Sequence, residues 1–183
     1  DREPLPYEDI RPDDATYIQR VWREVDIHEK LNLPFSYKAN TEGGDQLFIN
    51  MLLNAIKKEE ITAFDARVDD RFSTPMAFKD IAEMIIGKPK NKRVPDYVND
   101  PNGDQGLMKD TVVPGEYNPD LIERYWIKED WIYDKESSRL YARIIGIAPI
   151  LTLKTENNTF FSIQPLFWVY YPDLRPMLAR SDV

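Results

Sequence analysis

The chain has 183 residues, of which 42% are hydrophobic and 31% charged, a balance that excludes a disordered polymer and permits a buried core. Its formal net charge of −8 argues against nucleic-acid binding as the main role, because phosphate recognition needs a basic face. The absence of cysteine excludes disulfide bonds, thiolate metal sites and a cysteine nucleophile.

The N-terminal part of the chain predicts an extended arm followed by a helix. Residues 1–12 contain three prolines and charges of both signs, which favour an extended end. Asp13 and Asp14 are suitable N-caps for a helix that runs to about Lys30. The apolar residues that repeat at the helical period in this stretch are Ile18, Val21, Trp22 and Val25.

Two more helices and a long loop are predicted before the aromatic C-terminal region. A helix over 45–58 and another that starts at Pro75, with Ser73 or Thr74 before it, and runs to about Ile85 each carry an apolar stripe. A short strand is predicted at 61–65. Residues 88–120 hold five of the 14 prolines and three of the seven glycines, and their apolar periodicity is lost. We therefore predict a long surface loop over 88–120. A short final helix or turn is predicted at 173–180.

Three β-rich runs, at 125–133, 140–151 and 160–171, predict an antiparallel β-meander. Gly146, in the second run, is expected to mark a close approach of another backbone segment. Together the elements predict an α+β fold, in which N-terminal helices pack on a C-terminal antiparallel β-meander with the long Pro/Gly-rich loop between. A single domain is expected over 13–183.

Residues suited to catalysis or metal binding are few. His28 is the only histidine and would not share a helical face with Asp26, so we expect a surface or capping role. The segment 99–106 lacks the glycine and glutamate positions of a calcium loop and is expected to be a turn-rich loop. Three carboxylates could hold a hard cation, but solvation is the simpler role: Asp65, Asp69 and Asp70. The sequence therefore predicts no catalytic residue, no metal and no cofactor.

Aromatic residues are concentrated in the predicted sheet. Between 125 and 172 lie 11 of the 22 aromatic residues, which serve either as core or as a partner-binding face. An uncovered sheet edge there would also permit a partner to add a strand. The candidate partner-binding residues are Trp126, Trp131, Trp168, Tyr170, Tyr171, Asp173 and Arg175.

Four sequence blocks are long and unusual enough to carry a family resemblance. They are VWREVDIHEKLNLPF (21–35), LFINMLLNAIKKEEITAFD (47–65), YWIKEDWIYDKESSRLYARIIGIAPI (125–150) and PLFWVYYPDLRPMLARSDV (165–183). Together they resemble the GldN/PorN family of the Bacteroidetes type IX secretion and gliding-motility machinery. Glu59 and Glu60 depart from the family, because a glycine is expected there. Family members also continue beyond the LAR segment, which suggests a C-terminal truncation.

The resemblance implies a non-enzymatic structural subunit of the periplasmic ring of this machinery, at the inner face of the outer membrane. The implied partners are an outer-membrane lipoprotein of the GldK/PorK type, the periplasmic domains of GldM/PorM and further copies of the chain. No membrane-spanning segment is expected, because the longest nearly continuous apolar run, 144–153, is shorter than the ~20 residues that a spanning helix needs. A start at Asp1 without a leader is expected where a signal peptide has been removed.

Two other classes of function stay open on the residues alone. A periplasmic ligand- or glycan-binding module would use aromatic residues of the sheet, and it needs at least two exposed tryptophans lining a groove. A hydrolase would need a carboxylate pair in a cleft, and the candidates are Asp65, Asp69 and Glu129.

Overall fold

The computed structural model describes most of the chain, which divides into two compact units. The described residues are 2–37, 40–41, 44–45, 47–86, 90–95, 98, 106–113, 117–154 and 160–181. The first unit comprises Asp1–Phe78 with Pro119–Val183, and the second comprises Lys79–Asn118. The single domain expected over 13–183 stays a prediction.

Strands outnumber helices among the described residues. The strands are β1 (Ala15–Asp26), β2 (Asn40–Thr41), β3 (Gly44–Asp45), β4 (Ala63–Phe64), β5 (Pro75–Met76), β6 (Lys90–Pro95), β7 (Met108–Val113), β8 (Ile122–Asp134), β9 (Arg139–Lys154), β10 (Phe160–Pro165) and β11 (Trp168–Tyr170). The helices are α1 (Phe48–Lys57), α2 (Phe78–Ile86) and α3 (Tyr171–Arg180), with 3-10 segments at Lys30–Ser36 and Pro119–Leu121.

A seven-stranded antiparallel sheet is the frame of the first unit. Its order is β1-β8-β9-β11-β4-β5, and β10 also pairs with β9. β8 and β9 confirm the strands predicted at 125–133 and 140–151, where β-branched and aromatic residues are frequent. In the turn between them the Asp134 carboxylate accepts hydrogen bonds from the backbone N–H groups of Glu136 and Ser137.

Helices α1 and α3 lie against the sheet of the first unit. α1 confirms the helix predicted over 45–58, and its apolar stripe is buried. The rings of Phe48 in α1, Tyr125 in β8 and Phe35 in the 3-10 segment contact one another, with centroids 5.1 to 5.3 Å apart. Tyr125 is only 1% exposed. This aromatic cluster fixes the helix on the sheet.

The predicted N-terminal helix is wrong, because residues 15–26 form the edge strand β1. Ile18 and Trp22, which the helical period placed on a buried face, are 59% and 54% exposed. β-branched and aromatic residues favour an extended backbone here, and β8 offers an antiparallel partner along the whole strand. The predicted order of helices before the sheet is therefore also wrong, since a strand opens the fold.

The second unit contains α2 and a hairpin, and the hairpin overturns the loop predicted over 88–120. α2 confirms the helix predicted up to Ile85, and it buries Ile81 and Ile85. Its predicted start at Pro75 is wrong, because Pro75 and Met76 pair with β4 as strand β5 and the helix begins at Phe78. β6 and β7 pair along their full length. Their sequences, KNKRVP and MKDTVV, lack apolar alternation, but the backbone hydrogen bonds of a ladder do not require it.

Gly146 of β9 is confirmed as a point of close approach. A Cβ atom at this position would lie 2.5 Å from Cζ of Phe72 and 3.2 Å from the carbonyl oxygen of Val169. Phe72 is itself held by edge-on ring contacts with Phe64 and Trp168. The Phe72 ring therefore has little space into which it could retreat.

We expect Gly146→Ala to lower the free energy of unfolding by about 2 kcal/mol, which is the usual cost of overpacking. Urea unfolding followed by circular dichroism measures the change. The double variant Gly146→Ala/Phe72→Leu is the control, because a smaller side chain vacates the space and should recover part of the loss. A Gly146→Ala variant as stable as the wild type would contradict the contact.

Candidate binding surfaces

The outer edge of β1 is free within the part of the chain that the structure describes. β1 is 12 residues long and pairs there only with β8. The exposed fractions of Tyr17, Ile18 and Trp22 are 52%, 59% and 54%. Proteins usually protect such an edge with charges, prolines or short strands. An edge of this length with exposed apolar side chains is therefore a candidate docking surface.

The charged side chains of β1 do not guard its outer edge, because they pair with β8. Arg20 donates two hydrogen bonds to Asp130, both 2.7 Å long. Glu24 accepts hydrogen bonds from Nη1 of Arg124 at 3.0 Å and from Nε1 of Trp126 at 3.1 Å. These bonds hold β1 in place and leave its outer side without that protection.

A buried carboxylate lies between β1 and β8. Glu129 is 1% exposed, and it accepts hydrogen bonds from Nε and Nη2 of Arg23 at 2.9 and 2.5 Å. Nε1 of Trp131 donates a third bond at 2.9 Å. Together these donors satisfy the carboxylate and offset the cost of burying its charge.

A buried lysine holds the segment around Asp70 against the sheet. Lys128 is 3% exposed, and its Nζ lies 2.5 Å from the carbonyl oxygen and 3.2 Å from Oδ2 of Asp70. The ring centroids of Trp22 and Phe72 lie 5.8 and 5.5 Å from the same nitrogen. Nε1 of Trp22 also donates to Asp70 Oδ2 at 3.0 Å. Trp22 is therefore exposed on β1 but fixed in orientation.

Sequence reasoning missed the exposed residues of β1. The helical reading placed Ile18 and Trp22 in the core and left Tyr17 without a role. The signal that could have found them is the run TYIQRVWREV at 16–25, in which six of ten residues are β-branched or aromatic.

The seven predicted partner-binding residues are distributed over three places. Trp126 and Trp131 lie on β8, and carboxylates of other residues accept both indole N–H groups. Trp168, in β11, is 3% exposed and belongs to the core. The others adjoin one another at the β11–α3 junction: Tyr170, Tyr171, Asp173 and Arg175. Their role in partner binding stays a prediction.

Tyr7 of the N-terminal arm lies between two arginines. Its ring centroid is 4.4 Å from Cζ of Arg143 and 3.9 Å from Cζ of Arg175. The guanidinium groups also donate to backbone carbonyls of the arm, Arg143 to Glu8 and Arg175 to Leu5. These contacts give the arm a defined position beside β9 and α3.

An apolar cavity of about 280 Å³ opens between the sheet, the Lys30–Ser36 segment, α1 and α3. Its lining includes Phe35, Met51, Ile144, Tyr171 and Leu178. Sequence patterns could not predict this cavity, because it depends on how four separate elements meet.

The carboxylates considered for catalysis are held by separate partners. Asp65 accepts hydrogen bonds from Nε and Nη2 of Arg67 at 2.9 and 2.6 Å, and Asp69 accepts one from Oγ of Ser73 at 2.6 Å. The side-chain hydrogen bonds of Arg67 and Ser73 are the main causes that lower the pKa of these two carboxyls. A carboxyl that stays ionised can accept hydrogen bonds but has no proton to donate. Asp65 and Asp69 are therefore better suited to a structural role than to general acid catalysis. Among the described residues, no three acidic or histidine side chains group as a metal site would require.

We expect the Asp65 carboxyl to titrate with a pKa below its ordinary value of 3.8, because hydrogen bonds from Arg67 favour the ionised form. The stabilisation it contributes is complete above 3.8 and is lost as the pH falls through the lowered folded value. NMR titration of the carboxyl carbon measures this pKa, and Arg67→Ala should raise it. A pKa at or above 3.8 in the wild type would contradict the contact.

His28 and Asp26 form a contact that the predicted helix would have prevented. Nδ1 of His28 lies 2.9 Å from Oδ1 of Asp26, which also accepts the His28 backbone N–H. The histidine side chain is 68% exposed, so the expected surface position is confirmed. The segment predicted as a turn-rich loop at 99–106 lies outside the described residues, apart from Gly106.

The sequence matches a known protein family over nearly its whole length. Residues 10–183 match the family described as "Gliding motility associated protein GldN", and this range includes all four blocks that carry the resemblance. None of the curated proteins compared with the chain matches it significantly. No helix in the described ranges is long and apolar enough to cross a membrane. The chain therefore belongs to the GldN family of gliding-motility and type IX secretion components.

Proposed function

We propose that this chain is a non-enzymatic structural subunit of the periplasmic ring of the type IX secretion and gliding-motility machinery. We further propose that it binds an outer-membrane lipoprotein of the GldK/PorK type. Membership of the GldN family supports a place in this machinery. The observation that carries the assembly role is the outer edge of β1, which is free in the described structure and carries exposed apolar side chains. A free edge strand is a surface on which another chain can add a strand.

The β1 edge is ordered before a partner arrives. In strand addition, backbone N–H and C=O groups supply affinity and alternate side chains supply specificity. Ile18 and Trp22 project to one face of β1 and Tyr17 to the other. Trp22 is already held by Asp70, and the arginines of β1 are already held by β8. Because little further ordering is needed, the entropic cost of binding is reduced.

The start of α3 supplies a second surface to the same proposal. Tyr170 is 39% exposed, and Asp173 is exposed on the first turn of the helix. Contacts with the periplasmic domains of GldM/PorM and with further copies of the chain require surfaces beyond one strand edge. The exposed residues at the β11–α3 junction are suited to such contacts, since tyrosine is enriched where proteins meet.

The arrangement of the tryptophans favours assembly over glycan binding. Trp126 and Trp131 are five residues apart on one strand and therefore project to opposite faces. Trp168 is buried, and Trp22 is more than half exposed on β1. Trp22 and Trp126 do share one face of the β1–β8 pair, but their indole N–H groups are already held by Asp70 and Glu24 and are not free to bind a sugar.

Lysine substitutions at the edge test the assembly role. We expect Tyr17→Lys and Ile18→Lys to reduce co-purification with the lipoprotein partner from outer-membrane fractions by about tenfold, because each removes an apolar contact and adds a charge. Val68→Lys is the matched control, since Val68 is 60% exposed and lies outside β1. Edge variants that co-purify as well as the control would contradict the assignment.

A further inference from the structure

The cavity beside α3 is suited to a small apolar molecule. All of its lining side chains are apolar apart from the hydroxyl of Tyr171, and its volume is about 280 Å³. An apolar cavity of about 150 Å³ is known to bind benzene, so this one has room for about 12 carbon atoms.

One border of the cavity is positively charged. Tyr171, Arg175 and Leu178 are spaced by four and three residues and share one face of α3. Tyr171 and Leu178 line the cavity, so Arg175 lies at its border. Arg143 reaches the same place, because the Tyr7 ring lies between the two guanidinium groups.

Neither of the two arginines has a carboxylate within ion-pair distance among the described residues. Each of them donates one hydrogen bond to a backbone carbonyl. A guanidinium group has five N–H donors, so most of the donors stay available to an anion.

A tyrosine hydroxyl adds a further donor at the border. Burial raises the pKa of Tyr171, Tyr7 raises it further and Arg175 opposes the shift. The hydroxyl therefore stays protonated at neutral pH, on a residue that lines the cavity and lies near Arg175.

We propose that the cavity and the cluster of Tyr7, Arg143 and Arg175 form a binding site for an anionic amphiphile. The apolar chain, of about 12 carbon atoms, fills the cavity, and the anionic group lies against Arg175. Arg143 and the hydroxyl of Tyr171 supply further donors. This site is separate from the β1 edge and goes beyond the assembly role, so either can fail without the other.

Calorimetric titration of the chain with laurate, below its micelle concentration, tests the site. We expect saturable binding of one laurate to the wild type and about tenfold weaker binding of 1-dodecanol, which has the same chain without the charge. Arg175→Gln should weaken laurate binding about tenfold and leave dodecanol binding unchanged. Leu178→Trp and Ile144→Phe both fill the cavity and should remove binding of both ligands. Circular dichroism verifies that each variant is folded.

Three results would overturn the proposal: a wild-type chain that does not bind laurate, equal affinity for laurate and dodecanol, or undiminished binding by a folded cavity-filling variant. Co-sedimentation with phosphatidylglycerol vesicles distinguishes the sources of the ligand. Vesicle binding that Arg175→Gln weakens would assign the acyl chain to a membrane lipid. Laurate binding without vesicle binding would assign the acyl chain to a free carboxylate. Either result supports the site.

Discussion

Replacing Arg23 with alanine should lower the free energy of unfolding by about 3 kcal/mol, because the buried charge of Glu129 loses its main partner. Trp131 still donates one hydrogen bond to Glu129, but a single neutral donor does not neutralise a carboxylate that is 1% exposed. Urea unfolding followed by tryptophan fluorescence measures the change, since Trp131 reports on this part of the sheet.

Arg20→Ala is the matched control for Arg23→Ala. Arg20 lies on the same strand and also makes two hydrogen bonds to a carboxylate of β8. Its partner, Asp130, is 18% exposed, so water can solvate that carboxylate when the arginine is removed. The expected loss is therefore at most about 1 kcal/mol. Equal losses for the two variants would show that burial of Glu129 does not decide the stability of the β1–β8 pair.

Asp70→Leu should produce the second large effect. We expect it to lower the free energy of unfolding by about 3 kcal/mol, because the buried charge of Lys128 loses its carboxylate partner. Trp22 would also lose the acceptor of its indole N–H group. Asp69→Leu is the control from the same segment, and we expect it to cost about 1 kcal/mol through its lost hydrogen bond to Ser73. Thermal and urea unfolding of both variants measure the difference.

A double-mutant cycle separates the ion pair from the other contacts of Asp70. In Asp70→Leu/Lys128→Met both charges are absent, and apolar side chains of similar size occupy the space. The double variant should recover most of the stability lost by Asp70→Leu, since an apolar pair often matches a buried ion pair. If the losses in free energy of unfolding of the two single variants add up to the loss of the double variant, Lys128 and Asp70 do not interact in the folded chain.

The central sheet and its helices could be predicted from the sequence because their signals are local. β8 and β9 are rich in β-branched and aromatic residues and are joined by a short polar turn, DKESS, so periodicity and turn chemistry agree. α1 carries one continuous apolar stripe, and one side of the helix is buried. Gly146 could be recognised because a glycine within a strand of large residues needs a packing reason.

β1 could not be predicted because its apolar residues follow the helical period. Ile18, Val21, Trp22 and Val25 fit a helix, but a strand exposed on both faces does not need alternation to form. Its stability comes from β8, which lies about 100 residues later in the chain, through pairs such as Arg23 with Glu129. The site beside α3 was missed for the same reason, since Tyr7, Arg143 and Arg175 meet only in the folded chain.

Hydrogen exchange of the β1 amides tests the proposed assembly role most directly. The free chain is compared with the chain bound to the proposed outer-membrane lipoprotein partner. In an antiparallel edge strand, alternate N–H groups point away from the neighbouring strand. In the free chain we expect these outward amides to exchange quickly, while those bonded to β8 exchange slowly. Binding should slow the outward amides and leave the inward ones nearly unchanged. Exchange that stays the same along the whole of β1 on binding would contradict the use of this edge in assembly.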